Sequence, residues 1–427
     1  MRETFYMRDI RAMQDEAAGK GELQINVTST LDSRPIAEAR ISISYTGVPE
    51  QTLEQVTTDS SGQSEVLTLD APPEEWSLDP NNERQPYSEY TLDVSAPGFE
   101  PVSIAGTEIL ANVKAIQNVR MRPSVAGGEE EEVFVIPAHT LYGDYPPKIA
   151  EDEIKPTNES GEIVLSRVVV PEYIVVHDGS PRDTTATNYY VKYKDYIKNV
   201  ASSEIYATWP EDTIRANVLA IMSFTLNRVY TEWYRNRGYD FTITSSTAFD
   251  HKWIPERNYY DTISVIVDEL FAAYLSRPNV RQPILTQYCD GRRVTCPNWM
   301  TQWGSKELGD QGYSPIEILR YFYGDDMYIN TAEEISGIPA SWPGYTLEEG
   351  SSGAKVRQMQ EQLNVIAGDY PALPKITADG IYGPATENAV REFQSVFGLP
   401  VTGKVDYPTW YKISEIYVGV SRIAELT

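Results

Sequence analysis

Histidine and cysteine are scarce in this chain, with 3 and 2 among its 427 residues. The histidines form no His-x-x-x-His metal pair, and no Ser-His-Asp arrangement or glycine-rich phosphate loop is present. Cys289 and Cys296 lie in "CDGRRVTC". Two cysteines are too few for a disulfide framework, and a zinc site would need two further ligands. Free thiols are therefore expected, with a short-loop disulfide as the alternative in an oxidising compartment.

Positive charge and long apolar runs are also lacking. The chain has 36 Lys and Arg against 62 Asp and Glu, a net charge of −26. Such a surface repels phosphate backbones and anionic lipids, which argues against nucleic-acid and membrane partners. No window approaches 18 uninterrupted apolar residues, and the N-terminus lacks the apolar segment of a secretory signal. A glycan fits better, and the 29 Tyr and 8 Trp suit sugar stacking.

The length predicts two to four domains. After a tail over residues 1–21, residues 22–123 alternate apolar and polar positions in runs such as "ELQINVTST" and "ARISISYTG", separated by turn residues. This pattern predicts an all-β sandwich. The order "RPIAEARISI", "TTDSSGQ" and "YTLDVSAPGFEPV" resembles the carboxypeptidase-regulatory or transthyretin-like sandwiches. That resemblance implies a scaffold without chemistry of its own.

Residues 124–165 have a different composition, with a glycine pair, a four-glutamate run and several prolines in "SVAGGEEEEVFVIPAHTLYGDYPP". The simpler interpretation is an acidic linker. The alternative is a processing region, because exposed loops are where proteases cut. The boundary of Glu132 and Val133, where the acidic run meets an apolar one, is the predicted place.

Residues 166–345 mix strands and helices and predict an α+β domain. A long helix is expected in "TWPEDTIRANVLAIMSFTLNRVYTEWYRNRG", with a capping box from Thr208 to Glu211 and an end at Gly238. Its apolar residues recur every three or four positions, which predicts one buried stripe. Further helices are expected in "YDTISVIVDELFAAYLSR" and "SPIEILRYFYG".

Residues 346–427 contain three amphipathic helices and the turn "ITADGIYG". This segment resembles the small three-helix peptidoglycan-binding domains. The motif residues are Gly350, Gly353, Val356, Gln360, Leu363, Asp379, Gly380, Tyr382, Gly383, Thr386, Ala389, Val390, Phe393, Gln394, Gly398, Leu399, Gly403, Thr409 and Trp410. Most of them are structural on physical grounds, as glycines in turns or apolar residues in a core.

The central segment resembles the SpoIID family of peptidoglycan lytic transglycosylases. The match rests on "DYIKNVASSEIYATWPEDTIRANVLAIMSFTLNR" and on "MTQWGSKELGDQGYSPIEILRYFYG". The family's catalytic glutamate falls on Glu204. Some members bind zinc through a histidine and two cysteines, but Thr244 and Asp250 occupy the cysteine positions here. The resemblance therefore implies no metal and no cofactor, and Met222 departs from the family's usual arginine.

One carboxyl group suffices for the chemistry that this resemblance implies. A lytic transglycosylase protonates the glycosidic oxygen and later takes a proton from the O6 that attacks, so Glu204 can do both in turn. Burial among Ile205, Tyr206 and Trp209 would favour its protonated form. Without the resemblance, an ordinary glutamate near a helix start is the favoured interpretation of Glu204. Weaker candidates for substrate contacts are Trp209, Asp250, Tyr288, Gln302 and Trp303.

The order of sandwich, acidic junction, SpoIID-like domain and peptidoglycan-binding domain resembles the SleC-type spore cortex-lytic enzymes of clostridia. This resemblance implies a zymogen that is stored in the spore, cut by a subtilisin-like Csp protease at germination, and active on cortex peptidoglycan. Two alternatives stay open. One is a glycosidase that uses water, with Asp250, Asp261 or Asp290 as second carboxylate. The other is a non-catalytic peptidoglycan-binding spore protein.

Overall fold

The computed structural model describes residues 19–124, 131–155, 165–337 and 341–421. The tail expected over 1–21 lies mostly outside these ranges, but residues 19–21 already belong to the first strand. Within the described residues, the prediction of a multidomain chain that mixes sheets and helices is confirmed. The elements of its N-terminal part are β1 (Gly19–Ser29), β2 (Arg40–Tyr45), β3 (Thr52–Thr57), β4 (Leu67–Ala71), the short helix α1 (Glu75–Leu78), β5 (Ser88–Ser95), β6 (Val102–Ile109), β7 (Lys114–Met121) and β8 (Glu132–Val135).

Two sheets enclose the N-terminal core, and we call this unit the sandwich. In one sheet β1 lies between β7, which runs parallel to it, and β4, which runs antiparallel. In the other sheet the strand order is β3, β2, β5, β6 and β8. Along β1, Leu23, Ile25 and Val27 are fully buried and alternate with less buried neighbours. This period of two matches the sequence pattern, because successive side chains of a strand point to opposite faces.

The junction between sandwich and central domain is more ordered than a linker. Glu132 and Val133 lie in β8, which pairs in parallel with β6 at the sheet edge. Farther along, Glu151 makes two hydrogen bonds to the buried guanidinium of Arg228, at 2.6 and 3.0 Å. The expectation of a linker over 124–165 is therefore wrong for residues 132–155. Residues 132–155 show little periodicity of apolar residues, because their order depends on contacts with residues that are distant in the sequence.

The central domain is built around one long helix. Its elements are β9 (Val169–Val170), β10 (Tyr173–His177), β11 (Asn188–Lys192), α2 (Tyr193–Glu204), α3 (Glu211–Tyr230), β12 (Ile243–Thr244), β13 (Tyr259–Tyr260), α4 (Asp261–Leu270), β14 (Ala273–Ser276), β15 (Tyr288–Cys289), β16 (Met300–Thr301), α5 (Gln302–Asp310), α6 (Pro315–Tyr323), β17 (Tyr328–Thr331) and β18 (Glu334–Ile335). A 3₁₀ turn, Arg235–Arg237, precedes Gly238.

Three predictions for this domain need correction. Helix α3 is buried on nearly all sides rather than along one stripe, because the other helices surround it. Thr208 does not cap it, since its hydroxyl pairs with that of Ser77 in the sandwich at 2.7 Å. The helix expected over "YDTISVIVDELFAAYLSR" ends at Leu270, and Ala273–Ser276 form a strand with β17.

The C-terminal domain has the three predicted helices, α7 (Ala354–Asp369), α8 (Pro384–Val396) and α9 (Tyr407–Ser421). Two fully buried glutamines fix its loops. Gln360 accepts from the backbone of Gly380 at 2.8 Å and donates to the carbonyl of Ile381 at 2.9 Å. Gln394 accepts from the backbone of Gly403 at 2.8 Å. Among the described residues, no helix is long and apolar enough to cross a membrane.

Candidate active site

Glu204 is a buried carboxylate at the end of α2, with 4% of its surface exposed. Its Oε1 accepts a hydrogen bond from the backbone N–H of Lys252 at 2.8 Å, and its Oε2 accepts from the side-chain amide of Gln302 at 3.2 Å. The hydroxyl of Thr140 lies 3.4 Å from Oε2. A buried carboxylate needs such donors to offset its lost hydration. Three separate segments therefore fix the orientation of Glu204.

The turn before α5 places Gln302 against Glu204. Thr301 caps the helix, because its hydroxyl accepts from the backbone N–H of Gly304 at 3.2 Å. A Cβ at position 304 would lie 2.2 Å from that same hydroxyl oxygen. Position 304 must therefore be glycine for the turn to form in which Gln302 contacts Glu204. This requirement explains the glycine of the Gln-Trp-Gly sequence.

Glu204 faces a small cavity of about 60 Å³. Pockets that bind small molecules are usually several times larger, about 300–1,000 Å³. In this structure the space in front of Glu204 is therefore smaller than a typical ligand site. Its walls come from the central domain and from the segment 140–148, which we call the strap. The lining residues are Thr140, Gly143, Tyr145, Pro146, Pro147, Lys148, Glu204, Thr247, Tyr288, Cys289, Asp290, Arg293, Val294 and Gln302.

Tyr288, a predicted substrate contact, lines the cavity and is only 3% exposed. Burial and then the nearby charge of Glu204 raise the pKa of Tyr288 well above its ordinary value, so its hydroxyl stays protonated. The ammonium of Lys148 lies 5.0 Å from the centre of the Tyr288 ring, and burial lowers the pKa of Lys148. The ring of His251 stacks on that of Tyr288, with 5.8 Å between the ring centres, and His251 is fully buried.

The two predicted tryptophans lie beside the cavity rather than in its lining. Their rings pack together at 4.9 Å. Trp209 is 3% exposed, and its indole N–H donates to the carbonyl oxygen of Ser77 at 3.0 Å. The sandwich therefore covers Trp209, and this residue is not a substrate contact in the conformation described. Trp303 is partly buried and lines a second small cavity together with Tyr142 and Arg293.

Asp250 is a structural residue, which corrects its prediction as a substrate contact. It is fully buried, and its carboxylate binds the guanidinium of Arg228 at 2.7 Å. It also accepts from the hydroxyls of Tyr234 at 2.6 Å and Thr244 at 2.7 Å. Asp250 is not among the residues that line the cavity. Within the described ranges, no group of three or more His, Cys, Asp and Glu side chains is arranged to hold a metal ion.

The other two alternatives for a second carboxylate differ in position. Asp261 begins α4 and lies 3.7 Å from Lys114 of the sandwich, away from the cavity. Asp290 lines the cavity with Glu204. Its carboxylate accepts from the backbone N–H groups of Arg293 and Val294, each at 2.9 Å, so it also holds the following turn. Only Asp290 of the three predicted residues shares the space in front of Glu204.

Cys289 and Cys296 form a disulfide, so the expectation of free thiols is wrong. Their Cα atoms are 5.9 Å apart, within the normal range for such a bond. The seven-residue separation closes the loop that carries Asp290 and Arg293 at the cavity. The sequence left this pairing open because spacing alone does not fix redox state.

The strap and its flank contain site residues that the sequence did not predict. His139, which had no expected role, is 1% exposed and stacks on Tyr206 at 4.5 Å. Burial lowers the pKa of His139 well below its ordinary value, so the ring is neutral. The hydroxyl of Thr140 donates to the carbonyl of Ser203 at 2.7 Å. These contacts attach the start of the strap to the end of α2. In the sequence, the only local sign of a restricted backbone conformation is the prolines of the segment.

Comparison with known families identifies the C-terminal domain. Residues 352–413 match the peptidoglycan-binding domain family. The chain is 44% identical over 77 residues to the zinc D-Ala-D-Ala carboxypeptidase of Streptomyces albus G. That alignment covers 18% of this chain and 28% of the carboxypeptidase, so the chain spans well under a third of that relative's length. The likeness concerns one module and not the whole protein.

Two solved structures are also similar over short stretches. The SleB N-terminal domain is 28% identical, and the alignment covers 18% of this chain and 99% of that domain with a TM-score of 0.16. The Bacillus anthracis TIE protein is 13% identical, with 25% of this chain and 17% of that protein covered at a TM-score of 0.17. Both alignments cover a quarter of this chain or less.

Proposed function

We propose that this chain is the precursor of a spore cortex peptidoglycan lytic transglycosylase of the SleC type, with Glu204 as general acid and base. The observation that carries the proposal is the single buried carboxylate that Lys252 and Gln302 hold at the cavity. The peptidoglycan-binding match over 352–413 supports the substrate class. The SpoIID-like sequence around Glu204 supports the reaction type.

The chemistry needs two proton transfers at one carboxyl group. Protonated Glu204 gives its proton to the oxygen between N-acetylmuramic acid and N-acetylglucosamine as that C–O bond breaks. The muramic acid O6 then bonds to its own anomeric carbon, and the Glu204 carboxylate takes the O6 proton. A 1,6-anhydro end forms, no water is consumed, and Glu204 returns to its protonated state. The protonated Tyr288 hydroxyl and the Gln302 amide supply neutral donors beside the reacting groups.

The covered site supports the zymogen part of the proposal. Residues of the strap form part of the cavity wall at Glu204, and only 4% of the Glu204 surface is exposed, so glycan access to the carboxyl group requires the strap to move. Upstream, the strap continues from β8, where the side chains of Val133 and Val135 are 59% and 70% exposed. A protease binds its substrate as an extended chain, and this edge strand is already extended. A cut near Glu132 and Val133 would free the upstream end of the strap.

The proposed partners follow from this function. The cortex peptidoglycan is the substrate, a subtilisin-like Csp protease is the activator, and the spore is the location.

A second candidate function is a water-using glycosidase with Asp290 as the second carboxylate. The position of Asp290 at the same cavity as Glu204 favours this candidate. Retaining enzymes place two such groups roughly 5 Å apart and inverting enzymes roughly 6.5–9.5 Å apart.

Mass spectrometry of the released muropeptides tests the proposal. The protein, cut near Val133, is incubated with spore cortex beside its Glu204→Gln and Glu211→Gln variants. Glu211 is a matched control because its side chain is 69% exposed at the start of α3. Fragments lighter by one water than hydrolysis products, lost only in Glu204→Gln, support the proposal. Hydrated reducing ends favour the Asp290 glycosidase, and retained sacculus binding without fragments favours a binding protein.

A further inference from the structure

The part of the chain after residue 130 supplies an edge strand to each sheet of the sandwich. Strand β8 extends the sheet of β6 in parallel, from Val102↔Glu132 to Ala105↔Val135. Strand β13 extends the other sheet, with Tyr259 opposite Ile116 and Tyr260 opposite Ala115 in β7. Separation of the two parts would expose the backbone hydrogen-bonding groups of both edges. The sandwich is thus completed at two places by residues that follow the junction.

A buried ion pair lies at the centre of this interface. The carboxylate of Glu108 in β6 is 2.6 Å from the guanidinium of Arg257, and their side chains are 1% and 0% exposed. The side chain of Asn258 donates to the carbonyl of Glu108 and accepts from its N–H, both at 3.0 Å. Loss of one partner from a buried pair leaves an uncompensated charge, which is strongly unfavourable. Separation of the two parts would instead expose both charges to water.

The sandwich also touches the C-terminal domain. Arg34 lies 2.9 Å from the carboxylate of Asp369 at the end of α7. The side-chain amide of Gln63 donates to the carbonyl of Val396 at 2.7 Å, at the end of α8. The sandwich therefore contacts both other domains and bridges them.

From these contacts we propose that a cut in the junction between Ser124 and Glu131, upstream of β8, does not release the sandwich. Residues 19–124 stay bound to the remainder, and the processed protein is a particle of two chains. The inference takes its biological meaning from the zymogen proposed above, but it concerns the interface alone. In such a particle, movement of the strap rather than loss of the sandwich opens the site in front of Glu204.

The test uses the full chain with a recognition sequence for a specific protease inserted between Ser124 and Glu131. After cleavage, verified on a denaturing gel, the sample is run on a gel-filtration column in 0.5 M salt. Elution of both pieces in one peak, at the position of the uncut 48.1 kDa chain, supports the proposal. Elution in two separate peaks overturns it. Peptidoglycan cleavage is not measured, so a failure here is distinct from a failure of the Glu204 chemistry.

A variant tests the role of the buried pair. Arg257→Met removes the partner of Glu108 and is expected to raise the dissociation constant of the cut pieces roughly 100-fold or more. Asp70→Asn is the matched control, because Asp70 belongs to the exposed Lys20 pair within the sandwich. Retention of cut Arg257→Met equal to the control contradicts the role assigned to the pair. The cut protein without substitutions decides the main proposal even if Arg257→Met does not fold.

Discussion

Gln302 holds Glu204 through a single side-chain nitrogen. Its Nε2 lies 2.7 Å from the backbone carbonyl oxygen of Glu204 and 3.2 Å from the carboxylate Oε2. Helix α5 is therefore linked to the last residue of α2 both at the backbone and at the reacting group. An amide donor stays neutral at all pH values, so Gln302 can donate to Glu204 in both protonation states, and more strongly to the carboxylate. Gln302 is thus a positioning residue for the proposed acid and base.

Replacement of Gln302 by alanine should slow muropeptide release more than it destabilises the protein. The substitution leaves a buried carbonyl and a carboxylate oxygen short of a donor, a cost of about 1–3 kcal/mol. The carboxyl would also lose its fixed direction, so we expect kcat to fall roughly 10- to 100-fold. The rate of anhydro-muropeptide release, with circular dichroism to verify folding, measures both effects.

Gln311→Ala is the control for this substitution, because Gln311 is exposed at the other end of the same helix. It should leave kcat unchanged. A Gln302→Ala variant that is folded and equally active would contradict the positioning role, and a change in KM alone would point to substrate binding.

Replacement of Asp250 by asparagine should destabilise the central domain. Arg228 is fully buried and would keep only the Glu151 carboxylate as its charged partner. Since removal of one member of a buried pair costs about 3–5 kcal/mol, and Glu151 compensates in part, we expect a loss of roughly 2–4 kcal/mol in the free energy of unfolding. Asp261→Asn at the partly exposed Lys114 pair should cost less than about 1 kcal/mol. Calorimetry that finds equal melting temperatures for the two variants would refute the structural role.

Glu89 should make the stability of the sandwich depend on pH. It lies directly opposite Glu108 on the neighbouring strand, and burial together with that second carboxylate raises the pKa of Glu89 to about 7. Because the folded-state pKa is raised above the ordinary value of 4.5, this contribution to stability is complete below pH 4.5 and is lost as the pH rises through 7. Glu89→Gln should therefore be more stable than the parent at pH 8, by at most about 3 kcal/mol.

Thermal unfolding of the parent and of Glu89→Gln at pH 4.5 and pH 8 measures this difference. We expect closely similar melting temperatures at the lower pH and a higher one for the variant at pH 8. An equal gap at both values would mean that packing, and not proton binding, separates the two proteins.

The sequence predicted the features that local periodicity and turn residues encode. Leu23, Ile25 and Val27 mark a strand by simple alternation, and helix α6 lies within the predicted run "SPIEILRYFYG". The motif around Glu204 located the candidate carboxylate. These features depend on neighbours within a few residues, so one stretch of chain is enough to reveal them.

The errors concern contacts between distant segments. Nothing near Thr208 indicates that its hydroxyl would meet Ser77 instead of capping a helix. The acidic residues of the junction look like those of a solvated linker, yet Glu151 pairs with Arg228 inside the central domain. Asp250 looked suitable for catalysis because its buried partners come from other elements. In each case the deciding partner lies far away in sequence.

Loosening of the strap should raise the residual activity of the uncut precursor. Tyr145, Pro146 and Pro147 line the cavity in front of Glu204, and the prolines limit the conformations of this segment. Replacement of both prolines by glycine should let the strap leave the cavity more often, because the unfolded strap gains backbone entropy. We expect uncut Pro146→Gly/Pro147→Gly to release muropeptides at least about 10-fold faster than the uncut parent, a shift of about 1.4 kcal/mol in the opening equilibrium. After the cut near Val133 the two proteins should be equally active.

Asp144→Asn is the matched control, since Asp144 is exposed on the same strap and does not line the cavity. No gain in the uncut variant, with a normal rate after cutting, would show that the strap does not limit access and that inhibition arises from the sandwich instead.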